Sequence, residues 1–287
     1  MSTGSTSDFN LSRNDLIDMA YRKIGISSTT TLTSRAADAL NLIIREEDLK
    51  GTGQAKNLWA LSESTLKLSA DGFVYSTTEG LDSAILDLIT VFYRNTSGDD
   101  VPVFIYDHDE YERIADKNES GEPKAIYLKR NIALASQLLY VWPTPSSVGT
   151  TSEVTGSDSL NYSCIMGHTS ATDNKPITGA NWRLYWRQTG SSGSAWVTAT
   201  DYTNGELLRY VYKRPLYDFD ASTDNPDMPQ GWTRFLMWRL AHDLAPEFDI
   251  DMESRAWLKR ESLEAYEEIF NSARSAVKQA FNRTLFF

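Results

Sequence analysis

The sequence predicts an α+β protein, with N- and C-terminal helices forming a helical bundle, a central antiparallel β region and an inserted small β module. Three observations predict this class. Apolar residues recur at helical spacing near both ends of the chain, and they alternate with polar residues in the middle. A stretch rich in Ser, Thr, Gly and Asn interrupts that alternation. With 287 residues, 41% of them apolar, the chain is long enough to bury a core.

Two helices are predicted near the N-terminus. Ser12 and Asp15 have the spacing of a capping box, and Gly25 is suited to end the helix that they begin. A second helix is predicted from about residue 33 or 34 to Gly51. The apolar stripes of the two helices are Leu16, Ile17, Ala20, Tyr21 and Ile24 in the first, and Ala36, Leu40, Ile43 and Ile44 in the second.

The middle of the chain is predicted to be β, with one helical turn that begins at Asp107. The predicted strands are Leu66–Leu68, Phe73–Tyr75, Ile85–Tyr93, Val101–Tyr106, Ala125–Leu128, Gln137–Trp142 and Leu207–Lys213. Residues 146–205 have few aliphatic side chains, and we interpret them as an insertion between two neighbouring strands of the main sheet.

Two more helices are predicted at the C-terminal end. Pro229 suits the first turn of one helix, whose stripe is Trp232, Leu236, Leu240 and Leu244. The last helix is predicted from about Ser254 to Phe281, a length of about 42 Å. The predicted organisation is a flexible tail (1–10), a core (11–145 and 206–281), an inserted aromatic-rich β module (146–205) and a C-terminal docking tail (282–287).

Composition excludes several classes of protein. The 28 Lys and Arg against 39 Asp and Glu give a net charge of −11, which disfavours a dedicated nucleic-acid binder. A single cysteine excludes an internal disulfide framework and a four-cysteine zinc site. The longest apolar run is too short to span a bilayer, and the N-terminus lacks a signal-peptide pattern, so we expect synthesis in a cytoplasm and no membrane partner.

Three patterns resemble metal sites but favour simpler interpretations. His108 lies among acids, but Asp107 and Glu110 fit a helix cap. The acids of residues 249–253 also lie where a helix needs a cap, and the Cys164–His168 spacing offers only two ligands. The sequence therefore predicts no catalytic residue, no cofactor and no metal.

The insertion contains a dense set of aromatic residues, with two interpretations. They either stack on sugars or a host surface, or they form the core of a small module that has few aliphatic residues. The core interpretation is favoured. The candidate surface aromatics are Trp182, Tyr185, Trp186 and Trp196.

Charge is uneven along the chain. Residues 97–122 and 215–254 each carry nine acids and two Lys or Arg, whereas the last seventeen residues carry three basic residues and no acid. A basic tip that ends in apolar side chains suits docking into a partner, although basic residues also favour a helix C-terminus. The candidate docking residues are Arg274, Lys278, Phe281, Arg283, Leu285, Phe286 and Phe287.

The order of these elements resembles the head-to-tail adaptor (head-completion, tail accessory) proteins of tailed bacteriophages. The matching segments are LIDMAYRKIGISSTTTLTSRAADALNLIIR (16–45), VPVFIYDHDEYERI (101–114), GEPKAIYLKR (121–130), LLYVWPTP (138–145) and MPQGWTRFLMWRLAHDLAPEFDI (228–250). The insertion departs from the adaptor pattern and is similar to a small module that recurs in phage structural proteins.

The resemblance implies a structural virion protein of the neck or tail, assembled in the host cytoplasm. Such proteins form a homo-oligomeric ring, commonly twelve-fold, that docks below the portal protein, retains packaged double-stranded DNA and lets it pass, and carries the next tail component. On this interpretation the basic C-terminal residues dock into the portal. The alternatives are a virion-associated peptidoglycan hydrolase, which needs two convergent carboxylates, and glycan or host-surface binding through the insertion.

Overall fold

The computed structural model describes residues 11–50, 60–131, 136–146, 148–189 and 193–284, with the backbone alone at 49, 50, 189, 270 and 272–284. It is an α+β fold, as predicted. The helices are α1 (Arg13–Lys23), α2 (Thr30–Lys50), α3 (His108–Glu112), α4 (Trp182–Tyr185), α5 (Trp232–Leu244) and α6 (Met252–Thr284). Two compact units divide the chain: Met1–Ala60 with Pro215–Phe287, and Leu61–Arg214. The predicted boundaries instead separated only residues 146–205 from a common core.

The first unit is helical, and α5 lies at its centre. This helix packs against α1, α2 and α6, and both Leu236 and Leu240 are fully buried. The predicted capping box is present at α1, where Ser12 Oγ accepts from the Asp15 amide at 3.2 Å and Asp15 accepts from the Ser12 amide at 3.1 Å. Gly25 follows that helix with a φ of 76°, a conformation that favours glycine.

The second unit contains the described strands. They are β1 (Leu61–Lys67), β2 (Val74–Tyr75), β3 (Asp87–Arg94), β4 (Asp100–Pro102), β5 (Phe104–Tyr106), β6 (Ala125–Lys129), β7 (Leu138–Trp142), β8 (Glu153–Thr155), β9 (Asn161–Cys164), β10 (His168–Thr169), β11 (Trp186–Thr189), β12 (Ser194–Ala195), β13 (Asp201–Tyr202) and β14 (Leu207–Lys213).

Two four-stranded sheets share one apolar core in this unit. Their strand orders are β1-β14-β3-β4 and β2-β7-β6-β5, and the buried side chains of both belong to a single cluster. The alternation predicted for residues 207–213 is confirmed, since Leu208, Tyr210 and Tyr212 all point into that cluster. Residues 153–202 form a third four-stranded sheet and a two-stranded pair with a separate small core.

The prediction of one continuous strand over Val101–Tyr106 is wrong. The Val103 amide donates to the carbonyl of Val91 in the first sheet at 2.9 Å, and the next amide, of Phe104, donates to the carbonyl of Lys124 beside the second sheet at 2.9 Å. The chain therefore crosses from one sheet to the other between two adjacent residues, and it forms the last strand of each.

The predicted placement of the insertion is also wrong. The strands that flank it, β7 and β14, belong to different sheets, and β14 pairs with β1 and β3. Periodicity reports which face of a strand is buried, but it does not report which strand lies beside it.

Candidate functional site

An apolar strand edge is the first candidate interaction surface of the β unit. Within the described residues, β4 and β5 are the terminal strands of their two sheets. Phe104 is 70% exposed, Val101 41% and Ile105 39%. Because an edge strand with exposed apolar side chains is a common site of association, we name residues 101–106 the apolar edge. Pro102 has no amide hydrogen, which favours side-chain contacts over addition of another strand.

An ion-pair network fixes this edge to the sheet. Asp100 accepts from Arg94 Nε and Nη2 at 2.7 and 2.8 Å, and it also bonds to Arg209. Arg209 in turn donates to Glu63 Oε1 at 2.7 Å. Arg187 of the insertion lies 3.4 Å from the same carboxylate.

Burial makes this network important for stability. The side chain of Arg94 is only 5% exposed, and its Nη1 donates to the Ile165 carbonyl at 2.8 Å. Hydrogen bonding from Arg94 lowers the pKa of Asp100, and hydrogen bonding from Arg209 lowers that of Glu63. Both groups are therefore expected to be carboxylates at neutral pH, and they balance the buried guanidinium.

The segment that follows the apolar edge along the chain is acidic, and we name its exposed acids the acidic surface. Its exposed members are Asp107, Asp109, Glu110, Glu112, Asp116, Glu119 and Glu122. The predicted cap is confirmed, because Asp107 Oδ1 accepts from the Glu110 amide at 2.8 Å and Glu110 accepts from the Asp107 amide at 2.9 Å. His108 Nδ1 lies 3.2 Å from the hydroxyl of Tyr127. In the described part of the chain, no cluster of three His, Cys, Asp or Glu side chains is arranged to hold a metal.

Cys164 belongs to the core of the inserted module, and the half-buried His168 packs beside it. Burial raises the pKa of the Cys164 thiol to about 12, and its Sγ lies 3.8 Å from His168 Nδ1. That nitrogen is also 2.8 Å from the Met166 carbonyl. The His168 ring packs against the rings of Tyr185 and Trp186, with centroids 4.4 and 5.2 Å apart. The pair is therefore explained by packing, with Cys164 in the core and His168 against its aromatic rings.

The aromatic residues of the insertion mainly build that core. Trp186 is fully buried, and its Nε1 donates to the Asn174 carbonyl at 2.8 Å, so its prediction as a surface aromatic was wrong. Trp182, Tyr185 and Trp196 are half-buried and pack against the same cluster. The interpretation of these rings as a module core is confirmed for Trp186, because a small sheet with few aliphatic side chains must bury rings instead.

The predicted docking tail is not described at side-chain level. Leu285, Phe286 and Phe287 lie outside the described residues. Arg274, Lys278, Phe281 and Arg283 lie on α6, where only the backbone is described. Their role in docking stays a prediction.

Sequence reasoning missed one further feature, a cavity lined by Phe73, Tyr111, Tyr127 and Tyr140. Part of this cavity could be predicted from the sequence, because Tyr127 and Tyr140 each lie on a predicted strand, on the face opposite its buried apolar residues. Their pairing across β6 and β7 was not readable from the sequence.

Comparison with known proteins adds no family to these observations. No family model matches the chain, and no curated protein matches it either. In the residues that the structure describes, no helix combines the length and the apolarity needed to cross a membrane.

The ion-pair network yields a stability prediction. Replacing Asp100 with Asn leaves the buried Arg94 charge without its carboxylate, and we expect a loss of about 3 kcal/mol in the free energy of unfolding. Because the pKa values of Asp100 and Glu63 are lowered, the wild-type stabilisation is present above their ordinary pKa and is lost as pH falls through the folded values. Urea unfolding at several pH values measures both effects.

The matched control is Asp109→Asn, an exposed acid in the acidic surface. It removes the same charge without touching a buried cation, so its unfolding midpoint is expected to stay near that of the wild type. Equal destabilisation by the two substitutions would show that the network contributes nothing specific.

Proposed function

We propose that this chain is a subunit of the head-to-tail connector of a tailed bacteriophage. In this proposal it forms a homo-oligomeric ring below the portal, retains packaged DNA, lets that DNA pass during ejection and carries the next tail component. The observation that carries the proposal is the apolar edge, where exposed Val101, Phe104 and Ile105 lie on the terminal strands of two sheets.

A ring requires each subunit to present one surface to a different surface of its neighbour. Phe104 supplies such a surface at the apolar edge, because its ring is 70% exposed and covering it removes apolar area from water. The Arg94–Asp100 pair holds the edge in a defined position before any neighbour arrives, which lowers the ordering cost of association. These two properties together favour assembly from identical copies.

The acidic surface suits a DNA conduit. Seven exposed carboxylates between residues 107 and 122 repel a polyanion, so DNA that passes such a surface is not held by its phosphates. A connector must release its genome quickly, and a binding surface rich in Lys and Arg would oppose that. This charge distribution supports transit of DNA through the ring over recognition of its sequence.

The first test addresses the apolar edge. Phe104→Asp places a charge in the proposed subunit contact, and we expect the variant to form at least tenfold less ring than the wild type when mixed with the portal protein of the same phage. Mass photometry of the purified chain, alone and with portal, measures the assembly.

Leu184→Asp is the matched control, since Leu184 is also strongly exposed but lies on α4 of the insertion. Full ring formation by Phe104→Asp would refute the role of the apolar edge. Loss of assembly in both variants would point to a general effect of added charge instead.

The second test addresses the C-terminal tip. Deleting Leu285–Phe287 removes its apolar end while leaving Arg274, Lys278 and Arg283 in place. We expect portal binding to weaken by at least tenfold, because the apolar contact is lost and the charge is kept. Unchanged binding in a pull-down titration would discard the docking role of these residues.

The hydrolase alternative can be tested at one pair of carboxyl groups. Burial raises the pKa of Glu206, which accepts a hydrogen bond from Tyr93, and the nearby Glu122 charge raises it further. Glycoside hydrolases use a general acid whose pKa is raised, together with a second carboxylate, so Glu206 and Glu122 are the pair to test.

Turbidity of a peptidoglycan suspension tests this alternative. A connector without hydrolase activity leaves the turbidity unchanged. Clearing by the wild type that is abolished by Glu206→Gln, and retained by Asp109→Asn, would instead assign the hydrolase role to this pair.

A further inference from the structure

A cavity of about 390 Å³ lies on the face of the second sheet opposite the shared core, next to α3. Its position follows from strand alternation, because Ile126, Leu139 and Val141 point into the core while Tyr127 and Tyr140 point to the other face. The remaining lining residues are Phe73, His108, Tyr111, Glu112, Lys117, Asn118 and Lys129.

The aromatic wall of this cavity is fixed by ring packing. Tyr127 and Tyr140 lie directly opposite each other in the register of β6 and β7, with ring centroids 5.8 Å apart and planes 26° apart. The buried Tyr111 stacks on Tyr127 at 5.2 Å and 24°. Phe73 is 49% exposed and leaves an open ring at the cavity. The wall is therefore rigid on one side and accessible on the other.

Hydrogen-bonding groups surround this wall. His108 Nδ1 lies 3.2 Å from the Tyr127 hydroxyl, and Lys117 Nζ lies 3.2 Å from a carboxylate oxygen of Glu112. Asn118 is exposed at the cavity and offers both a donor and an acceptor. A few polar groups around an apolar wall are typical of a small-molecule site.

The charged side chains around the cavity restrict which kinds of ligand can bind there. The surrounding acidic surface repels a polyanion such as a nucleic acid. A ligand cation is disfavoured as well, because Lys117 Nζ already lies 5.5 Å from the centre of the Tyr111 ring and Lys129 adds a second positive charge. A neutral molecule with many hydroxyl groups and one apolar face fits both restrictions.

We propose that this cavity binds a neutral pyranose residue of a glycan. The C–H face of the sugar stacks on the accessible rings, whose faces carry partial negative charge, and its hydroxyl groups bond to Asn118, Glu112 and Lys117. A second cavity of about 530 Å³ also includes His108 and Tyr127 and continues to Ile105. The two cavities together accommodate a chain of at least two sugar units.

This inference does not rest on the proposed ring. The first cavity contains no residue of the apolar edge, whereas the second shares Ile105 and Tyr106 with it, so sugar binding is measured on the purified chain without portal. The site also differs from the glycan alternative considered for the insertion, because it lies outside residues 146–205.

The experiment uses the full chain and a panel of neutral sugars: the methyl pyranosides of glucose, galactose, mannose and rhamnose, methyl N-acetylglucosaminide, and β-linked disaccharides of glucose and N-acetylglucosamine. Saturation-transfer NMR identifies binders, and titration gives the affinity. We expect at least one sugar to bind saturably, with a disaccharide binding more tightly than its monosaccharide. Phe73→Ala is expected to weaken binding by about tenfold, because it removes an accessible ring.

The matched control is Tyr217→Ala, which removes a ring that is 65% exposed and lines neither of the two cavities. It should bind sugar like the wild type, and circular dichroism confirms that both variants fold. Asn118→Ala provides a second variant at an exposed polar position and is also expected to weaken binding. Three outcomes would overturn the proposal: no saturable binding by any sugar of the panel, equal affinity of the Phe73→Ala variant and the wild type, or binding that is lost equally in the Tyr217→Ala variant.

Discussion

The β unit depends on the pairing of one buried charge. Arg94 is almost completely removed from water, and a guanidinium there is tolerated only with a carboxylate and further acceptors around it. Asp100 and the Ile165 carbonyl supply those partners. The first lies on an edge strand and the second lies in the insertion, so one side chain links the outer strand of the first sheet to the inserted module.

The chain changes sheets shortly after this edge strand. Asp100 lies on the first sheet, and the change occurs between the amides of Val103 and Phe104. Val103 is buried as a consequence, whereas Phe104 becomes one of the most exposed large side chains of the described residues. The same crossing places α3 over the second sheet, where Tyr111 completes the row of rings with Tyr127 and Tyr140. The apolar edge and the aromatic cavity thus have a common structural origin.

Local signals were readable from the sequence, and long-range pairing was not. Ser12, Asp15 and Gly25 define α1 because capping chemistry depends on residues within one turn. The alternation of residues 207–213 identified β14 because one face of it is buried. The crossing at Val103 and the different sheets of β7 and β14 depend on partners far along the chain, and no local pattern records them. The same limit applies to surfaces: aromatic density drew attention to Trp186, which is buried, and away from Phe73, which is accessible.

The contrast between these two groups of rings has a physical reason. In the insertion, the described core consists of only five buried side chains, so aromatic rings must supply much of its buried apolar area. The larger core between the two main sheets is filled by Leu, Ile, Val and Tyr from strands of both sheets and their flanking loops, and rings on the opposite face are not needed for it. Tyr127 and Tyr140 therefore lie on the face of the second sheet that points away from the core, where they contact only neighbouring side chains and solvent. Side chains that the core does not require are the ones that can serve in recognition, which is why a ligand is proposed for the aromatic cavity and not for the aromatic-rich insertion.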